Sequence, residues 1–249
     1  MWIAAYILAT ALPAPAAGDP PPKITVSCTD QWLAKRHSLH AEQRYDHRLA
    51  DAFGKSCLNV TTRVPIDWPK VKTDLAAAIQ TDFPLAAMVP ADIGEFCPGY
   101  RDASVEQRRD FWRALAFEVI KPEAGSNANA LMWEQPIDRA GSPVDAGEYS
   151  IGLLQLSISN RRPYQCYIPT EASLLDPTLN VQCGAKIISY LVTESARIGG
   201  DEGNGRAGLA SYWSTIRMVS QKPKRAGTRD TRGPIITMLR QLPQCRSKK

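Results

Sequence analysis

At 249 residues, with 44% hydrophobic and 22% charged side chains, the chain is long enough for one large domain or two small ones, and its composition excludes a fibre or wholesale disorder. A formal net charge of +5 is mildly basic, well short of the basic stripe of a dedicated nucleic-acid binder, so no nucleic-acid partner is expected. Six cysteines, an even number with no C-x-x-C pair, point to disulfides in an exported protein rather than to a zinc ribbon.

In chain order, residues 1–17, MWIAAYILATALPAPAA, form a short apolar run that closes on small residues. This reads as a secretory signal, although no Lys or Arg precedes the run. It is too short to span a bilayer, and no later segment is long and apolar enough to do so; stable membrane insertion is not expected. Gly18-Asp19-Pro20-Pro21-Pro22 gives a stiff lead-in. Leu33 to Phe53 predicts a partly exposed helix, and Trp68 to Phe83 a second one with Val71, Leu75, Ala78 and Ile79 at helical spacing. His37, His40 and His47 fall in the first of these; an exposed polar helix accounts for them without a metal. Asn59-Val60-Thr61 has the form of a glycosylation acceptor, read here as loop sequence.

Ser104 to Ile120 carries the clearest helical signal. Ser104 and Gln107 can form a capping box, and Phe111, Trp112, Leu115, Ala116, Val119 and Ile120 make one apolar stripe. Pro122 is expected to end or kink this helix. Asp176-Pro177 starts another, an N-cap followed by Pro at the first helical position. A short hairpin is expected within Trp133 to Leu156. The remaining basic excess gathers in residues 221–249, from Lys222 to Lys249.

The informative stretch is Phe111 to Tyr212. It contains Glu123-Ala124-Gly125-Ser126-Asn127 after the amphipathic helix, then Tyr149-Ser150-Ile151-Gly152-Leu153-Leu154-Gln155-Leu156, then Asn180 with Gly184 and Tyr190-Leu191, then Ala210-Ser211-Tyr212. Together with Cys97-Pro98-Gly99-Tyr100, these pieces in this order resemble the catalytic domain of soluble lytic transglycosylases, relatives of goose-type lysozyme. The departures are Ala124 where that family has Ser, Leu154 where Met is common, and Trp213 where Asn is usual. The resemblance implies a mainly α, lysozyme-like fold. It divides the chain into a signal peptide (1–17), an N-terminal helical extension (18–95), a lysozyme-like transglycosylase domain (96–220) and a basic C-terminal segment (221–249).

Cleaving a glycosidic bond needs a proton donor for the leaving oxygen. Extended by one turn, the apolar stripe of the Ser104 helix reaches Glu123, whereas Glu118 points to its side. Glu123 is therefore the expected catalytic acid. The resemblance implies that this one glutamate acts as acid and then as base, taking the proton of the sugar's C6 hydroxyl as a 1,6-anhydro ring closes at the MurNAc-GlcNAc bond. It also implies that Ser150, Gln155 and Tyr212 position substrate, that no cofactor or metal is used, and that the partner is peptidoglycan, met outside the cytoplasm, in the periplasm or beyond. Glu134, Asp138, Asp145 and Glu148 are the candidates for a second carboxylate, which a hydrolase of the same fold would need. A non-catalytic glycan-binding or assembly protein is the remaining alternative. Cys166 and Cys183, flanking a short loop, are expected to pair.

Overall fold

A computed structural model describes residues 27–80, 83–135, 147–200, 205–217 and 230–246. The expected signal segment and the candidates Asp138 and Asp145 lie outside these residues. The fold is mainly helical, as expected, with one two-stranded ribbon among the described residues.

The N-terminal part holds three helices, α1 (Cys28–Arg36), α2 (Ala41–Arg44) and α3 (His47–Cys57), where sequence periodicity predicts one from Leu33 to Phe53. The break has a local cause, because short polar side chains compete for the backbone. Ser38 donates to the Lys35 carbonyl at 2.7 Å, and Asp46 accepts from the amides of Arg48 and Leu49, so a new helix starts there. A disulfide between Cys28 and Cys57 joins α1 to α3.

Helix α4 (Trp68–Ala78) stops short of the expected Phe83, and Arg113 donates to the carbonyl of its C-cap residue Ile79 at 2.8 Å. A short helix, α5 (Ile93–Phe96), precedes the central helix α6 (Val105–Ala124). The Ser104–Gln107 capping box forms. The whole expected stripe is buried, and Trp112 donates its indole N–H to Tyr100 Oη at 2.8 Å. Fully burying side chains of this size contributes about 2 kcal/mol each.

Pro122 does not end α6. The helix runs on to Ala124 and turns at Gly125, whose φ is +61°. Pro122 costs the helix one hydrogen bond near its end. Burial of Val119, Ile120 and Ala124 outweighs that loss, and the extra turn carries Glu123.

Strands β1 (Leu131–Glu134) and β2 (Glu148–Ile151) pair antiparallel, with Trp133 opposite Tyr149 and Glu134 opposite Glu148. Helix α7 (Pro177–Ser195) begins at Asp176, which accepts from the Thr178 amide at 2.9 Å. Helix α8 (Arg232–Leu239) packs on α6. Its Arg232 is buried and paired with Glu95 at 2.6 Å, and a disulfide from Cys245 to Cys97 fastens the segment beyond it. The expected Cys166–Cys183 bridge is present.

Candidate active site

Alternation along the ribbon gives it two unlike faces. Leu131, Trp133, Tyr149 and Ile151 turn toward the N-terminal helices; Met132, Glu134, Glu148 and Ser150 turn the other way. The apolar face is packed closely. Trp133 meets Trp32 at a ring separation of 6.2 Å and Tyr149 at 5.0 Å. Gly54 of α3 lies so near Tyr149 that a Cβ would fall 2.5 Å from its ring.

The N-terminal helices also satisfy the outer edges of both strands. Asp51 accepts the Trp133 amide at 2.8 Å, His47 Nδ1 lies 3.3 Å from the Trp133 carbonyl, and Thr29 Oγ1 accepts the Tyr149 amide at 3.3 Å. Tyr149 donates its phenol to the Ala50 carbonyl at 2.7 Å. Glu171 closes this arrangement by accepting from the first amides of α1, those of Cys28 and Thr29. A two-stranded ribbon is marginal on its own. Here the extension backs it and holds its polar face outward.

The polar face carries carboxylates. Ser150 is buried and donates to Glu134 Oε1 at 3.3 Å. Glu134 is open to solvent on one side yet crowded by protein on the others. That burial is the main reason its pKa is raised, with the Glu148 charge adding to it; the Ser150 hydrogen bond, His47 and Arg217 act against the rise.

Glu123 is half-buried at the last turn of α6. It accepts a hydrogen bond from Thr215 Oγ1 at 2.8 Å. Thr215 sits in the turn that also carries Arg217, whose Nε donates to the Ala210 carbonyl at 2.7 Å. The Arg217 pKa is lowered by burial and by Arg206, while Glu123 and Glu134 hold it up, so one guanidinium lies within electrostatic reach of both carboxylates. The C-terminal segment fixes this turn, since Thr231 donates to the Thr215 carbonyl at 2.8 Å and Arg232 to that of Ile216 at 3.2 Å.

Glu118 pairs with Lys121 at 2.6 Å on another side of α6. Gln155 takes a left-handed backbone conformation, with φ +49°, and its amide donates to the carbonyls of Gly152 and Ala130. Tyr212 donates to Asn160 Oδ1 at 2.7 Å and Gln155 O at 3.4 Å; burial drives its phenol pKa far up, so it stays protonated. In this structure, then, Ser150 reaches a carboxylate directly, whereas Gln155 and Tyr212 bind the turn beside it. Sequence reasoning missed Thr215, Arg217 and the edge-capping residues of the extension. Among the described residues, no group of three or more His, Cys, Asp or Glu is placed to hold a metal ion.

The other motif positions pack against one another. Asn180 is fully buried; its side chain accepts the Leu154 amide and donates to the carbonyls of Ile151 and Leu174, each at 2.9 Å. Gly152, at φ +78°, leaves room for that amide: a Cβ there would stand 2.4 Å from Asn180 Nδ2. Gly184 faces Leu154 with similar closeness. Trp213 donates its indole N–H to the Leu154 carbonyl at 2.9 Å.

The fold is lysozyme-like, with a helix-borne glutamate and a carboxylate-bearing ribbon both within electrostatic reach of one arginine. Residues 103–233 match the family model described as Transglycosylase SLT domain, and the chain belongs to that family. Three structures of the protein Bd0314 DslA are similar to it at 28% identity and a TM-score of 0.59. The wild-type form aligns over 74% of this chain and 98% of its own; two forms with glutamine in place of a glutamate align over 72% and 92%. No curated protein sequence matches the chain significantly. Among the described residues no helix is long and apolar enough to cross a membrane.

Proposed function

We propose that this protein is an exported lytic transglycosylase that cleaves the β-1,4 bond between MurNAc and GlcNAc in peptidoglycan, with Glu123 as the acid and base. The observation that carries the reading is the placement of Glu123: inside the family region, half-buried at the end of α6, held by Thr215 and, like Glu134, within electrostatic reach of Arg217. Protonated Glu123 gives its proton to the leaving GlcNAc oxygen as the bond to MurNAc C1 breaks. The MurNAc C6 hydroxyl then attacks C1, and its proton passes to the Glu123 carboxylate. The acid is restored, and the product ends in a 1,6-anhydro ring with no water consumed. Ser150, Gln155 and Tyr212 shape the wall where the glycan lies. Three disulfides suit an oxidising compartment, periplasmic or extracellular.

A second reading, hydrolysis, draws support from Glu134. The glutamates replaced in the two DslA variants stand eleven positions apart, the same spacing as Glu123 and Glu134. A second carboxylate in the cleft could activate a water as base.

The test is digestion of purified peptidoglycan by the parent and by Glu123→Gln, with products read by mass spectrometry. The expected result is anhydro-MurNAc ends from the parent and loss of about 10²–10⁴ in rate for the folded variant. Reducing MurNAc ends would favour hydrolysis with Glu134 as the base. An active Glu123→Gln variant would overturn the assignment of the acid.

A further inference from the structure

The three disulfides differ in exposure. Cys97 and Cys245 are 0% and 1% exposed, and Cys166 and Cys183 are 4% each. Cys28 is 7% exposed, and its partner Cys57 is only half-buried. A thiolate attacks a disulfide at a sulfur it can reach, so the Cys28–Cys57 bond is the one most open to a dissolved thiol.

This bond stands where the ribbon is held. It ties the first residue of α1 to the last of α3. Helix α1 supplies Thr29, whose hydroxyl oxygen accepts the Tyr149 amide one residue from Ser150. Helix α3 supplies Asp51 and Ala50, which accept the Trp133 amide and the Tyr149 phenol. The non-covalent hold on α1 is thin. Its 9 residues are too few to stay helical alone. The indole N–H of its anchor, Trp32, is buried and finds no acceptor among the described residues. The Glu171 carboxylate that takes the Cys28 and Thr29 amides is buried too. Burial raises its pKa, so its charged form is held there at a cost.

We propose that the Cys28–Cys57 disulfide is a redox-sensitive fastener of the ribbon: a dithiol reductant frees α1, Thr29 leaves the Tyr149 amide, and the strand pair that carries Glu134 loosens. One thiolate of the reductant attacks Cys57 Sγ, and a mixed disulfide forms as Cys28 leaves as a thiolate. The second thiolate of the reductant then displaces Cys57. The two cysteine thiolates take up the two protons the reductant gave up, and the reductant, oxidised by two electrons, ends as its own disulfide. The effect on turnover rests on the peptidoglycan reading above; the loosening of the ribbon does not.

The test separates loosening from turnover. Full-length protein is equilibrated with graded dithiothreitol, trapped with iodoacetamide and mapped by mass spectrometry. Cys28 and Cys57 should be alkylated at about a tenth of the dithiol concentration that opens the other two bonds. In protein so trapped, hydrogen exchange at the Trp133 and Tyr149 amides should be about tenfold faster, with exchange in α7 unchanged. Cleavage of purified peptidoglycan should fall by about tenfold, and reoxidation before trapping should restore it. Cys28→Ser with Cys57→Ser should behave as the reduced protein does and ignore the dithiol. Reduction of all three bonds together overturns the proposal. So does unchanged ribbon exchange once Cys28 and Cys57 are alkylated, or undiminished cleavage by that protein. The native chain gives these answers even if the double variant fails to fold. Faster ribbon exchange on reduction, with no cleavage by the oxidised parent, upholds the fastener and sinks the enzymatic reading.

Discussion

Glu134 and Glu148 stand directly opposite each other on the exposed face of the ribbon, like charges where a strand pair usually places complementary ones. Burial first, and then Glu148, raise the Glu134 pKa. A carboxyl whose pKa is raised by folding favours the fold when protonated. Its contribution is fully present below the ordinary glutamate value of about 4.3 and is lost as pH climbs through the raised value. Glu134→Gln should therefore raise the Tm near neutral pH, and the gain should vanish at acid pH. Thermal melts of both proteins across that range check this; parallel Tm curves would show that the crowding has no energetic effect.

Thr215 is a positioning residue for Glu123. Its hydroxyl donates to the carboxylate, which favours the charged form. Thr215→Val keeps the shape and removes the donor. We expect kcat to fall about tenfold, equivalent to one charge-assisted hydrogen bond, with KM little changed. Thr215→Ser should restore kcat.

Asp51 lies on the side of the ribbon away from the carboxylates, yet it caps the Trp133 amide next to Glu134. Asp51→Ala leaves that amide without its acceptor, at a cost of about 1–3 kcal/mol. The expected outcome is faster hydrogen exchange at Trp133, a lower Tm and reduced turnover, with Asp51→Asn close to the parent. Unchanged turnover would separate the extension from catalysis.

Asn180 serves three backbone partners in a dry setting. Asn180→Leu has similar volume and satisfies none of them, so a loss of about 3 kcal/mol or more is expected in denaturant unfolding. A loss under about 1 kcal/mol would mean that water replaces the amide.

What could be read from the sequence was local. The Ser104–Gln107 box and the Asp176-Pro177 start act within four residues, and both stand in the structure. The apolar stripe led to Glu123 because helical phase carries through one more turn. Periodicity failed at Leu33 to Phe53, where Ser38 and Asp46 offered the backbone other partners, and Pro122 did not end α6 because buried neighbours hold its last turn. The partners of Glu123 were invisible: Thr215 lies 92 residues away and belongs to no helical or strand pattern. Asp51 and Thr29 meet strand edges 82 and 120 residues distant, contacts that only the assembled fold creates. The motif around Gly152, Asn180 and Gly184 was recognisable, but its spacing encodes packing more than chemistry.

The bond between Cys97 and Cys245 spans 148 residues and encloses both α6 and α8 in one covalent ring. In the chain-entropy account, closing so long a loop disfavours the unfolded chain by about 5 kcal/mol. It also changes what a protease can do. A single cut anywhere inside the ring opens it without separating the pieces: the segment bearing Glu123 and the segment that buttresses the Thr215 turn stay parts of one molecule. A second cut, or a reductant, is needed before either can leave.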